Sequence, residues 1–189
     1  RFVPLNGKVR TSKTSYMIDD LSGGMVKGNL GVLMPKDCVV IDIDSTSPST
    51  SFYIEWLRAK YPNIFITKTP KVGGYHVWFK TDKKIKRDTG LLSIFGWRFD
   101  ILSGTSNYIT LPDNYEGRRY VNGFKNINDL ASGWDEYDVR LPESIFDLMP
   151  FVDATPDHRN PLEFGVGERN AGLIEWLGYF VAKGISVDC

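Results

Sequence analysis

Two aspartates one residue apart, Asp42 and Asp44, close an apolar run, Val39–Ser45 (VVIDIDS). On a β-strand, alternation sends both carboxylates to one face and Ile41 and Ile43 to the other, with the two Asp Cα atoms about 6.6 Å apart. Carboxylates that face the same way repel unless a cation lies between them, and hard oxygen ligands suit Mg2+ or Mn2+. A strand end with two solvated acids would have the same pattern, so this pair alone does not decide.

A second stretch, Val72–Phe79 (VGGYHVWF), runs from a Gly-Gly turn into a strand. His76 and Trp78 share one face of it; Tyr75, Val77 and Phe79 share the other. A strand histidine is more often a satisfied, half-buried residue than a functional one. Gly73 and Gly74 shift that balance, because glycines let backbone amides come close to a phosphate. A third stretch, Arg98–Ser106 (RFDILSGTS), puts Asp100 on the face opposite Phe99 and Ile101. An acid inside an apolar strand needs a partner or a metal, and a salt bridge to Arg98 or a lysine serves as well as an ion.

Positive charge is local. The chain has 23 Lys+Arg against 23 Asp+Glu, so it has no global basic field of the kind many sequence-independent DNA binders carry. Lys68, Lys71, Lys80, Lys83, Lys84, Lys86, Arg87 and Arg98 nevertheless fall close together. They read either as a solvated hairpin with charged tips or as a phosphate-facing surface. Lys68, Lys71 and Arg98 are the candidates for phosphate or template-backbone contact.

The elements that must position these residues follow from periodicity and punctuation. Leu30–Met34, Val39–Asp44, Ile64–Thr69, Tyr75–Lys80, Trp97–Leu102 and Tyr108–Leu111 read as strands broken by Gly, Pro and Asp/Asn. Residues 49–61 predict a crossing helix with Phe52, Trp56, Ala59 and Lys60 at helical spacing, Ser49 or Ser51 as its N-cap and Pro62 as its stop. The result is an α+β pattern. Residues 142–149 predict a short helix, 151–167 a linker, and 168–184 an amphipathic helix stopped by Gly184. The expected division is therefore a domain over 1–150, a linker over 151–167, and the start of a truncated helical region over 168–189.

A hydrophobic fraction of 42% supports a proper core. No apolar run approaches the roughly 20 residues that span a bilayer, and the opening RFVPLNGKVR has no signal-peptide core. It also has no initiating Met, which suggests a chain cut from something longer. Cys38 and Cys189 form neither a disulfide framework nor a zinc spacing, so a reducing, cytoplasmic setting is expected.

Two acids on a strand, a crossover helix, a Gly-Gly-x-His strand and then a third acid on a strand: this order resembles the catalytic core of the archaeo-eukaryotic primase superfamily. The resemblance is greatest to its bifunctional primase–polymerase branch, found on plasmids, phages and mobile elements. NLGVLMPKDCVVIDIDS resembles the family's approach to its paired acids, and FDILSGTSNYITLP its third-acid strand and the strand after it. The specific likeness covers residues 30–112; GKVRT resembles the segment that opens such domains, and GERN with helix 168–184 the helical region that leads to a helicase.

The resemblance implies a primase–polymerase fold, with an RRM-like mixed or antiparallel catalytic sheet flanked by helices. It assigns two Mg2+ or Mn2+ ions to Asp42, Asp44 and Asp100 and phosphate contact to His76. Gly73, Gly74, Lys71, Ser103 and Arg98 complete the expected nucleotide site. The family often has a hydroxyl residue two positions before the histidine; here that position is Gly74, so a hydroxyl contact would fall to Thr69, Ser103 or Ser106. The implied partners are a single-stranded DNA template and primer, deoxy- or ribonucleoside triphosphates, and a helicase region in the same polypeptide, with no membrane. A metal-dependent nuclease, a DxD glycosyltransferase and a non-catalytic replication-initiation module are the competing readings.

Overall fold

A computed structural model describes residues 1–16, 28–86, 88–92, 97–112, 116–122, 133–143 and 148. The expected linker over 151–167 and helix over 168–184 lie outside the described residues. Most of the expected helix over 142–149 does too, and Pro142 and Glu143 are not helical.

The strands are β1 (Phe2–Asn6), β2 (Val9–Arg10), β3 (Asn29–Leu33), β4 (Cys38–Asp44), β5 (Phe65–Lys68), β6 (Tyr75–Lys80), β7 (Asp88–Leu92), β8 (Arg98–Ser103), β9 (Tyr108–Thr110) and β10 (Arg119–Val121), with helix α1 (Thr50–Lys60) between β4 and β5. They form a six-stranded sheet, β10-β5-β6-β4-β8-β7, and a four-stranded sheet, β2-β1-β3-β9. Every pairing between named strands is antiparallel. β4 and β5 both run against β6, which lies between them, so β4–α1–β5 is a split β-α-β unit. The α+β architecture stands as expected.

β4 is central, which explains its composition. A strand covered on both faces reads as an unbroken apolar run, and Cys38 to Ile41 are all buried, the last three completely. On one face Val39, Ile41 and Ile43 join Val77, Phe79, Phe99 and Ile101 beneath α1. On the other, Cys38 and Val40 join Phe65 and Trp78 beneath the small sheet, against Phe2, Leu30, Val32 and Ile109.

The buried face of α1 differs from the expected one. Thr50, Tyr53, Ile54 and Leu57 are buried, whereas Phe52 is 77% exposed. Tyr53 decides the rotation: its ring meets Trp97 and Phe99, and its hydroxyl donates to the Leu148 carbonyl at 2.7 Å. Ser49 stands at the N-cap without a capping hydrogen bond; its Oγ instead accepts from Trp97 Nε1 at 3.1 Å. Complete burial of Leu57 stabilises the docked helix by about 1.5–3 kcal/mol.

Candidate active site

Cross-strand register turns scattered residues into rows on the face of β4 that lies toward the small sheet. One row is apolar: Phe65 pairs with Trp78, Trp78 with Val40, and Val40 with Leu102. The next is polar: Thr67 pairs with His76, His76 with Asp42, and Asp42 with Asp100. One step further, at the strand end, Asp44 pairs with Arg98. Apolar packing against the small sheet includes the first row and not the second, so the polar groups gather where that packing stops. The predicted alternation of Asp42 and Asp44 against Ile41 and Ile43, and of His76 against Tyr75 and Val77, is what this register requires.

Asp42 sits at the centre. Its carboxyl is pushed up to about 6, first by burial and then by Asp44 and Asp100, against the opposing pull of Arg118 and Lys71. His76 is 6% exposed. Its Nε2 lies 3.4 Å from Asp42 Oδ1, and its Nδ1 lies 3.4 Å from the Thr67 hydroxyl. Burial foremost, then Arg118 and Lys8, holds the imidazole far below its ordinary value, so at neutral pH it is uncharged with a single N–H to give. Lys71 Nζ donates to Asp44 Oδ1 at the rim.

The Gly-Gly turn does something other than expected. The Gly73 amide donates to the Ser45 carbonyl and the Gly74 amide to the Lys71 carbonyl, each at 3.1 Å. Neither N–H is therefore available as a phosphate cradle in this conformation. The two glycines serve close packing instead. A Cβ on Gly73 would stand 2.1 Å from the Ser47 carbonyl oxygen, and one on Gly74 would stand 2.0 Å from Thr69 Oγ1. Glycine here lets the turn press against the loop after β4, which sets Lys71 beside Asp44.

Asp42, Asp44, Asp100, His76, Arg98 and Lys71 thus share one end of the large sheet. Ser103 does not join them. It pairs with Val39 at the far end of β4, on the α1 side, and its hydroxyl donates to the Ile85 carbonyl at 2.8 Å. Ser106 lies beyond it in the turn to β9. The basic stretch also splits. Lys71 stays beside Asp44, and Lys68 folds onto the adjoining turn, donating to the Thr69 and Gly74 carbonyls; Lys80 lies at the Cys38 end, where its ammonium donates to the Asp135 carbonyl.

Sequence reasoning missed Arg118, Arg119 and Thr67. Arg118 reaches across to the small sheet, donating from Nη1 to the Thr110 carbonyl at 3.1 Å. The paired arginines of GRRY were a visible signal, but only the pairing of β10 with β5 brings them to this end of the sheet.

Three oxygen-donor acids near one another, the central one raised first by burial and then by the other two, are a donor set suited in chemistry to a hard divalent cation. Among the described residues, no three His, Cys, Asp or Glu side chains are grouped as a ready ligand set, and the Asp44 carboxylate is engaged by Lys71. Among the described residues, no helix is long and apolar enough to cross a membrane. No family model, no curated protein and no solved structure matches this chain.

Proposed function

We propose that this chain carries the catalytic core of a DNA primase–polymerase, which extends nucleic acid from nucleoside triphosphates on a single-stranded template in an intracellular setting. The observation that supports this reading is the row in which Asp42 stands between His76 and Asp100 on one face. The split β-α-β unit within an antiparallel sheet fits an RRM-like catalytic sheet, and the order of acids and histidine is that of the family the sequence resembles.

Phosphoryl transfer depends on in-line placement and charge neutralisation more than on covalent help from the protein. Asp42 and Asp100 would hold two Mg2+ or Mn2+ ions, with Asp44 joining once Lys71 leaves it. When bound, such ions lower the pKa of the attacking 3′-hydroxyl and neutralise the pyrophosphate leaving group. His76 has Nδ1 braced by Thr67 and Nε2 facing Asp42; its one N–H would turn from Asp42 to a phosphate oxygen once ions hold that carboxylate. Arg98, across from Asp44, faces the template or primer backbone. A helicase region in the same polypeptide would supply the unwound template.

Primer extension with dNTPs and NTPs in separate reactions, each with Mg2+ or Mn2+, tests this. Growth of the primer that disappears in Asp100→Ala supports the reading. Degradation of the labelled template without growth would replace it with a nuclease, and transfer from a nucleotide sugar with a glycosyltransferase.

A further inference from the structure

A cavity of about 380 Å3 opens at the same end of the large sheet, with Lys68, Thr69, Lys71, Arg118 and Arg119 in its wall. Among the described residues, none of those lining it is acidic. In a chain with 23 basic and 23 acidic residues, four cations around one cavity concentrate positive potential where the sequence as a whole has none. The volume lies at the lower end of the range for small-molecule sites, about 300–1,000 Å3. The four cations of its lining suit an anion such as a chain of phosphates.

The wall is built. Lys68 Nζ donates to the Thr69 and Gly74 carbonyls, each at 3.2 Å, and lies 4.7 Å from the centre of the Tyr75 ring. Arg118 is tied to the small sheet through the Thr110 carbonyl. Lys71 differs from both: it lines the cavity and also pairs with Asp44. Both side chains of that pair are about half exposed, 50% and 46%, and an ion pair so accessible to water is held weakly. Lys71 can therefore change partner at little cost.

We propose that this cavity binds a chain of condensed phosphates and that Lys71 is an exchangeable counter-ion, resting on Asp44 when the cavity is empty and on the phosphates when it is filled. The exchange frees Asp44 for a divalent cation, so polyphosphate and metal favour each other's binding, and by linkage the preference is reciprocal. Identifying the polyphosphate as the tail of an incoming nucleotide rests on the polymerase reading. The cavity and the exchange do not.

The test needs no nucleoside triphosphate and no divalent ion, and uses oligothymidylate only as a second, separate titrant. Inorganic tripolyphosphate is titrated calorimetrically, in EDTA, into the wild type, Lys71→Met, Asp44→Asn, the double variant and Arg119→Gln. The wild type should bind saturably, and Lys71→Met and Arg119→Gln should each bind about tenfold more weakly, the loss of one charge-assisted contact. Asp44→Asn should bind more tightly because it releases Lys71, and that gain should vanish in the double variant. A gain that persists without Lys71 would reduce the effect to the field of Asp44 and overturn the exchange. Absence of tripolyphosphate binding while oligothymidylate still binds would mark a nucleic-acid backbone site and overturn the cavity assignment. Because primer extension is measured separately, failure of the polymerase reading leaves this result interpretable, and the converse also holds.

Discussion

Asp42 and Asp100 stand directly opposite each other on the adjacent antiparallel strands β4 and β8. Like charges at such a position destabilise a sheet, and here the pair adjoins a buried histidine. Strand pairing would be easier with almost any other choice of residues. The arrangement is explained if the two carboxylates share something positive.

Removing that charge should stabilise the metal-free fold. Asp42 is raised from 3.8 to about 6. Its contribution to stability is therefore complete below its ordinary pKa and is lost as pH rises through about 6. His76 is lowered from 6.5 to about 3, so the unfolded chain takes up a proton that the folded chain refuses, and stability falls as pH drops below 6.5. Between about pH 4 and 6 the two oppose each other. In EDTA, Asp42→Asn should be about 1–3 kcal/mol more stable than wild type at pH 7.5. It should also lose stability on acidification from 6.5 to 4, where the wild type stays nearly level. Urea denaturation across this range reads both effects, and a variant less stable than wild type at pH 7.5 would show that the carboxylate is already compensated.

Divalent ions should offset that difference. At a hundred times its dissociation constant a ligand stabilises the folded state by about 2.7 kcal/mol, which for a domain of this size raises Tm by about 5–10 °C. Mn2+ should produce such a shift in the wild type and little or none in Asp42→Asn or Asp100→Asn. Equal shifts in all three would place the ion elsewhere.

Catalysis should divide the site residues into two kinds. Asp42→Ala, Asp44→Ala and Asp100→Ala should each lower dNTP incorporation by about a thousandfold or more, the several kcal/mol that metal-assisted charge stabilisation supplies, while circular dichroism stays unchanged. His76→Ala should instead raise KM for the triphosphate about tenfold, one charge-assisted hydrogen bond. An Asp44 variant that extends primers at the wild-type rate, or a His76 variant with KM and kcat unaltered, removes that residue from the site.

The glycines should differ in cost. Gly73→Ala drives a Cβ into a backbone carbonyl, that of Ser47, whereas Gly74→Ala meets first a side-chain hydroxyl, that of Thr69. A hydroxyl can rotate away; a carbonyl at the head of α1 cannot without moving the loop. Gly73→Ala should cost about 2–3 kcal/mol and Gly74→Ala about 1 kcal/mol. Measured by urea denaturation, the reverse order would contradict the packing role of Gly73.

Much of this was legible because alternation is local physics. VVIDIDS can put its acids on only one face if it is a strand, and β4 spans Cys38–Asp44. Boundaries of β6 matched to the residue, Tyr75–Lys80. The face of α1 was misread because Phe52 and Trp56 share helical spacing as well as Tyr53 and Leu57 do, and only the ring contacts of Tyr53 decide between them. Strand β10 escaped notice because three residues, Arg119–Val121, carry too little pattern to stand out.

What the amino-acid order determined by itself is which side chains share a face, since that follows from a two-residue repeat within one strand. Which strands lie next to each other is a matter of long-range pairing, and no local pattern encodes it. Sheet order alone set Asp42 between His76 and Asp100 and brought Arg118 and Arg119 beside Lys68 at the cavity. Those placements arise from packing two apolar faces of one central strand at once, which is a property of the whole chain.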